Sequence, residues 1–381
     1  MGRNLRAAEL SRIVQLEAQR RFDLENGPVF HATLIRKDRD SYLLLLMMHH
    51  IVSDGWSKGI LYRELRELYG AFVAGKPSPL ADLPIQFADY ARWLRGVGQE
   101  KEMATQRQFW AHHLEDCPPA IDLPTDYAHS AEESFRGASV GSTISNDTVA
   151  ALTGIGREVN ATPFMAFFCA FNILLSRLTG QTDLVIGIPV ANRSRKETED
   201  LVGCFANTLP LRTRLEGNPS FMTLLEQVRE LTVNAYANQQ FPFEQILNEL
   251  SIDRDNRRSP LVQVMFAFQS FRDQEQGFKL AEDLVATIYP VDTESAKFDL
   301  TLYLSESKRG IALRWQYNSD LFDRSTIERF ADCFSTLLAQ LAANSKQTNG
   351  ELSVVGEKER RRLLCDWNAT EDQALLGRSF L

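Results

Sequence analysis

Apolar and polar positions along this chain change period several times, and each period predicts an element. Residues 28–36 and 41–48 read as two strands joined by the charged turn Lys37–Asp40. The second, Ser-Tyr-Leu-Leu-Leu-Leu-Met-Met, is apolar almost throughout, which predicts a strand covered on both faces. A short polar loop over 51–56 follows, and then Ile60, Leu61, Leu65, Leu68 and Phe72 recur at helical spacing. Upstream, residues 1–21 form a charged, amphipathic helix candidate. Pro77, Pro79 and Pro84 mark a loop, after which helices are predicted near 85–97 and 100–115. Residues 116–135 show little periodicity and read as a crossing segment.

The second half opens with a strand over 136–145 and a helix from about 147. Thr162-Pro163 supplies an N-cap and a first-turn proline for a buried helix over 163–178. A buried strand at 183–190, an amphipathic helix at 219–238, strands at 261–269, 284–290, 297–305 and 311–317, and a helix over 324–342 complete the pattern. The polar remainder, 343–381, reads as a linker or the start of another unit. One internal echo stands out. Residues 298–334 repeat the order of 28–72: strand, charged turn, strand, short Asp-containing loop, helix. That predicts two similar α/β lobes. Where the first copy carries His49-His50, the second has Gln316-Tyr317 or its neighbours.

Composition adds bounds. The 381 residues suffice for two cores, and with 44% hydrophobic and 24% charged residues the chain reads as an ordinary globular protein. A net charge of −8 argues against nucleic acid as a partner. Cys117, Cys169, Cys204, Cys333 and Cys365 are scattered without metal or disulfide spacing, so no metal site and a reducing, cytoplasmic setting are expected. The N-terminus lacks a signal-peptide core, and the apolar run 163–174 ends at Ser176-Arg177, so no membrane is expected.

The chemistry concentrates at His49-His50-Ile51-Val52-Ser53-Asp54-Gly55, between the second strand and its helix. Adjacent side chains at a strand end point to opposite faces, so one imidazole can face a cleft while the other packs inward. Histidine is the side chain best poised for proton transfer near neutrality. Asp54 can brace the loop by accepting backbone N–H groups or pairing with an arginine. A histidine pair alone is most often structural; the whole seven-residue pattern at a strand–loop–helix junction reverses that reading. Other signals carry less. Gly137-Ala138-Ser139-Val140-Gly141 fits a nucleophile elbow but is followed by a strand-like segment rather than a helix. His112-His113 reads as a surface pair, Gly154-Ile155-Gly156 lacks the rest of a dinucleotide motif, and Phe164, Phe167, Phe168 and Phe171 read as core.

Met48-His-His-Ile-Val-Ser-Asp-Gly-Trp-Ser57 resembles the signature of the condensation domains of nonribosomal peptide synthetases, within the chloramphenicol-acetyltransferase-like superfamily. Further family motifs follow in order: Phe-Ala-Asp-Tyr-Ala-Arg-Trp (87–93), Gly-Ile-Pro-Val-Ala-Asn-Arg (187–193), Val-Gly-Cys-Phe-Ala-Asn-Thr-Leu-Pro-Leu-Arg (202–212), the Pro-Phe-Glu stretch within 238–247, and 254–269. The tail at 351–371 resembles a linker into an adenylation domain. The resemblance implies an α/β (α+β) fold of two acetyltransferase-like lobes in a V, with a tunnel between them as the active site. The corresponding division is 1–125 for the first lobe, 126–345 for the second and 346–381 for the linker.

Carried over by position, the resemblance makes His50 the catalytic histidine and His49 its more structural neighbour. Asp54 becomes the loop-organising aspartate and Gly55 the glycine that lets the loop turn. Arg193 is the salt-bridge partner expected for Asp54, with Arg254, Arg257 and Arg258 as competitors. Asn207, Thr208, Trp56 and Ser57 are expected along the substrate tunnel. The implied reaction joins a donor acyl or peptidyl thioester to the amine of an acceptor amino acid. Both ride on phosphopantetheine arms of an upstream and a downstream peptidyl carrier protein. No cofactor is bound directly. His50 would act either as a base toward the amine or as a stabiliser of the tetrahedral intermediate, and Ser-Asp-Gly-Trp-Ser resembles the subtype joining L-configured units.

The family's opening motifs, a helix with Ser-x-Ala-Gln-x-Arg and then Arg-His-Glu-x-Leu-Arg, are not found before residue 49. The first lobe is therefore expected to be incomplete, lacking its opening strand and helices. Two alternatives stay open: an epimerisation-type or free acyltransferase relative, which Gly55 and the tail disfavour, and a non-catalytic carrier-docking piece, which the intact His49, His50 and Asp54 disfavour. A heterocyclising relative would carry aspartate in place of the histidine pair and is excluded.

Overall fold

The computed structural model describes residues 3–96, 100–130, 134–250, 258–269, 278–289, 291 and 294–368. Its first lobe begins with helix α1 (Arg3–Ala18), followed by strands β1 (Phe30–Arg36) and β2 (Tyr42–Met48). The strands pair antiparallel, with Phe30 opposite Met48 and Arg36 opposite Tyr42, and the turn closes through the Lys37 N–H to the Ser41 carbonyl. Val14 and Leu10 of α1 pack on Leu43, Leu45 and Ile35. The expectation that β2 is covered on both faces fails. Leu44 and Leu34 on the other face are 42% and 67% exposed, so α1 packs on one face of this two-stranded ladder and leaves these two side chains of the other open. An unbroken apolar run therefore gave no information about which face is buried. A 3-10 turn over His50–Val52 leads into α2 (Gly55–Val73), and α3 (Phe87–Leu94) follows.

The second lobe starts with α4 (Glu100–His113), then β3 (Gly137–Ser145), α5 (Asn146–Glu158), α6 (Pro163–Thr179), β4 (Asp183–Val190), β5 (Asn207–Arg214), α7 (Phe221–Ala237) and α8 (Phe243–Glu249). It continues with β6 (Val264–Gln269), β7 (Phe278–Ala281), β8 (Leu284–Ala286), β9 (Leu300–Ser307), β10 (Gly310–Asn318), α9 (Arg324–Ala343) and α10 (Glu357–Arg361). Six strands form one sheet in the order β3-β10-β9-β6-β4-β5, with β6 parallel to both β4 and β9 and the other pairs antiparallel. Helix α6 starts as its sequence predicts: Thr162 Oγ1 accepts from the Met165 N–H, Pro163 occupies the first turn, and Gly180 ends the helix in the left-handed conformation. Its rings at Phe167, Phe168 and Phe171 are fully buried, Phe167 close to Phe268, Phe168 and Phe171 close to Phe266, and Phe171 also close to Trp315. Each such side chain contributes about 1.5–3 kcal/mol by burial. β5 is not predicted by the pattern, since Pro210 interrupts it; as an edge strand it tolerates a residue without an N–H.

The lobes divide elsewhere than at residue 125. Trp110, Leu114, Ile121 and Leu123 belong to the second lobe's core, and the Trp110 indole donates to the Asn238 carbonyl. The boundary thus falls between α3 and α4, because α4 turns its apolar face to that core. The linker likewise starts later than residue 346. Leu352 is buried in the same core, Val354 packs on it, and Thr348 bridges Ser220. The echo between halves is present: β9, β10 and α9 repeat β1, β2 and α2, and the two helices follow N-cap residues Asp54 and Asp323. Counted back equally from those caps, Asn318 and Ser319 stand where the first lobe has His49 and His50. Ser139 lies within β3, opposite Gln316, so the elbow pattern is a strand segment. No single helix among the described residues is long and apolar enough to cross a membrane.

His113, expected at the surface, is instead half-buried: its Nε2 accepts the Arg212 N–H at 3.2 Å, and its ring stacks on Phe109. Burial, reinforced by the positive charge of Arg212 and Arg214, lowers its pKa to about 4. The unfolded chain binds this proton first, so the stability His113 confers is complete above its unfolded pKa of about 6.5 and drains away as pH falls toward 4. The whole shift corresponds to roughly 3 kcal/mol. Urea unfolding at pH 7 and pH 4.5 should show a larger acid loss for the wild type than for His113→Gln, and equal losses would contradict this.

Candidate active site

The turn between β2 and α2 separates the two imidazoles. His49 is half-buried, its Nδ1 accepts the Ile51 N–H at 3.1 Å, and Phe22 meets its ring edge-on. It holds the turn. His50 is exposed and points toward the second lobe, where its Nδ1 lies 3.5 Å from Cys204 Sγ.

Below the turn, Asp54 is both the N-cap of α2 and one half of a buried ion pair. Its Oδ1 accepts the Ser57 N–H at 2.8 Å, and its Oδ2 accepts the Phe205 N–H at 3.1 Å from across the lobe boundary. Arg193 Nη2 approaches Oδ1 at 3.2 Å, with both side chains 1% exposed. Arg193 reaches this position because Asn192 adopts a left-handed conformation after β4, at a φ of 53° that asparagine tolerates. Nη1 donates to the Thr198 and Leu201 carbonyls, and the Phe205 ring lies 4.1 Å below the guanidinium. A buried pair is costly to desolvate unless its remaining hydrogen-bonding capacity is used, and these contacts use most of it. Burial alone would push the Asp54 carboxyl up; the amide and hydroxyl of Ser57, the Arg193 charge and the Phe205 amide together outweigh it, and the pKa falls below the ordinary value. Burial lowers the Arg193 pKa against the opposing pull of Asp54. Of the competing arginines, Arg258 pairs with Asp122, while Arg254 and Arg257 lie outside the described residues.

A cavity of about 330 Å³ opens beside this hub, lined by Phe87, Tyr90 and Leu94 of α3, by Cys204, Asn207 and Thr208, and by Gln240 and Phe243. Asn207 shapes its floor more than it offers free polar atoms. Its Nδ2 donates to the Gln239 and Phe241 carbonyls and its Oδ1 accepts from Phe243.

Two expected roles need correction. Ser57 does not line the tunnel: it is fully buried, and its Oγ meets Asp54, Arg193 and both backbone groups of Gly203. Trp56 is exposed, and its indole N–H ties α2 to the Glu199 carbonyl of the second lobe at 2.9 Å. Gly55 is not needed for turning. It is the first residue of α2, its φ is not positive, and a Cβ there would meet nothing within 4 Å. The glycine that geometry demands is Gly203, where a Cβ would stand 2.4 Å from the Phe87 ring. Cys204 and Phe205 were passed over in the sequence. Both lie in the motif at 202–212, which was the available signal, but nothing in that motif says that its cysteine and phenylalanine meet the turn of the other lobe.

Residues 3–364 match the model of the condensation domain family. The chain is 41% identical over 363 residues to a linear gramicidin synthase of Brevibacillus parabrevis, spanning 94% of this chain and 7% of that protein. It is 42% identical over 370 residues to malpibaldin synthetase of Mortierella alpina, spanning 97% and 7% respectively. The chain thus corresponds to a small part of the length of these relatives. Among solved structures it is similar to a protein in the complex of the X-domain and OxyB from teicoplanin biosynthesis, with a TM-score of 0.84 and 27% identity over 92% of this chain and 78% of that one.

The hub sets two expectations for stability. Asp54→Asn leaves the Arg193 charge buried without its partner and should cost about 3–5 kcal/mol in chemical denaturation; a loss below about 1 kcal/mol would show that the pair does not hold the lobes' junction. Gly55→Ala should leave the melting temperature unchanged or slightly higher, since alanine favours the helix, and a clear drop would restore a turning role to that glycine.

Proposed function

The chain belongs to the condensation domains of nonribosomal peptide synthetases, and we propose that it forms the amide bond between two carrier-borne substrates at His50. The observation that carries this reading is the exposed His50 imidazole, set on a turn braced from below by Asp54 and Arg193, with its Nδ1 3.5 Å from Cys204, a residue that lines the cavity between α3 and the segments around Asn207 and Gln240.

The donor is an acyl or peptidyl thioester and the acceptor an aminoacyl thioester, each on the phosphopantetheine arm of a carrier protein. The acceptor amine attacks the donor carbonyl carbon, forming a C–N bond and a tetrahedral intermediate. Collapse breaks the C–S bond and releases the donor arm as a thiol, which takes up the proton lost by the amine. A thioester is already activated, so holding both reactants in register supplies much of the acceleration. His50 adds proton handling or charge stabilisation at the intermediate, of the order of 10²- to 10⁴-fold. The free amine, with a pKa of about 7.7–8.0, needs no strong base. The Ser53–Ser57 run supports joining of L-configured units, and the tail at 351–371 supports an adjoining adenylation domain. The relatives' names as peptide synthetases support carrier proteins as partners.

Dipeptide formation from two loaded carriers tests the reading. His50→Ala should lower the rate at least about 10²-fold with unchanged thermal unfolding, because the side chain is exposed. Undiminished product would overturn the assignment.

A further inference from the structure

Cys204 is the second-lobe side chain that meets His50, and its place is fixed from both sides. The residue before it, Gly203, is bonded through both backbone groups to Ser57 Oγ, and the residue after it, Phe205, donates its N–H to Asp54. The hub that sets the histidine turn therefore also sets the sulfur. The result is a contact of 3.5 Å between Cys204 Sγ and His50 Nδ1 at the edge of the cavity.

The direction of this hydrogen bond decides which ring nitrogen carries the proton. A neutral imidazole nitrogen is a good acceptor, whereas a thiol sulfur is a poor one. The thiol keeps its proton: burial pushes its pKa up, Asp54 and Glu244 act in the same direction, and Lys297 opposes them. Arg193, paired with Asp54 and lying over the Phe205 ring, is a further charge beside this segment.

We infer that Cys204 is a positioning residue that donates its S–H to His50 Nδ1 and so locks the ring as the tautomer protonated at Nε2. Resting on the assignment of His50 above, this decides between that residue's two possible roles. A neutral ring with Nε2–H presents a donor to the reacting centre. It stabilises the oxyanion of the tetrahedral intermediate, while the amine loses its proton to solvent or to the departing thiolate. The bond is that of a neutral pair, so its loss should cost about three- to tenfold in kcat, with the KM for either loaded carrier unchanged.

The test is ring-nitrogen NMR of the chain labelled with ¹⁵N-histidine, His50 being assigned by its loss in His50→Gln. The wild type should show one His50 tautomer with Nδ1 unprotonated, and Cys204→Ala should add the second tautomer and lower kcat. Cys204→Ser, which keeps a donor, should retain the single tautomer and a rate within about twofold of the wild type. If the cysteine only filled space, alanine would be tolerated better than serine. A protonated Nδ1 in the wild type, or a Cys204→Ala spectrum identical to it, overturns the inference. The tautomer is read without turnover, so this result is separate from whether His50→Ala loses activity.

Discussion

The Asp54–Arg193 pair is the constraint on which the rest of the site depends. It lies in the boundary between the lobes, where neither charge reaches water, and the surrounding groups satisfy all of its polar atoms but Arg193 Nε. Asp54 caps α2 and takes an amide from the second lobe; Arg193 collects carbonyls from the loop after β4 and rests on the Phe205 ring. Removing either partner strands a charge. The same few bonds therefore fix the start of α2, the histidine turn above it and the Gly203–Phe205 segment opposite.

That arrangement explains the division of labour between adjacent imidazoles. His49 spends its Nδ1 on the backbone of its own turn, whereas His50 is left exposed toward the other lobe. The second lobe repeats the same strand–turn–helix unit with Asp323 at the helix cap. That carboxylate makes no side-chain cap bond and instead accepts the Tyr127 hydroxyl. Asn318 and Ser319 stand there in place of the histidines. His50 therefore stands on one lobe, while the Gly203–Phe205 segment of the other lobe meets it and is tied to the same turn.

Much of the fold was legible because its elements follow strong periods. The α6 start at Thr162-Pro163, the buried β4 and the β9–β10–α9 repeat can all be read from residues alone. What was not legible depends on which surface meets which. The all-apolar β2 does not say that only one of its faces is covered. α4 does not say that its apolar stripe faces the second core, and edge strand β5 is disguised by Pro210. In the site, Asp54 and Arg193 could be paired from motifs, but Ser57 and Trp56 could not be placed. A serine and a tryptophan at a helix start can line a tunnel or anchor the opposite lobe, and only tertiary contact distinguishes these. Gly55 shows the converse: a glycine beside an aspartate suggests a turn, yet its backbone is ordinary helix.

The central claim is that the Asp54–Arg193 pair acts as one unit to hold His50 in register with the second lobe. It is tested most directly by the single-turnover rate of amide formation from two loaded carriers, measured across the cycle of wild type, Asp54→Asn, Arg193→Gln and the double variant. The account predicts that either single substitution loses nearly as much rate as the double. Losses that multiply, as they would for independent sites, would contradict it.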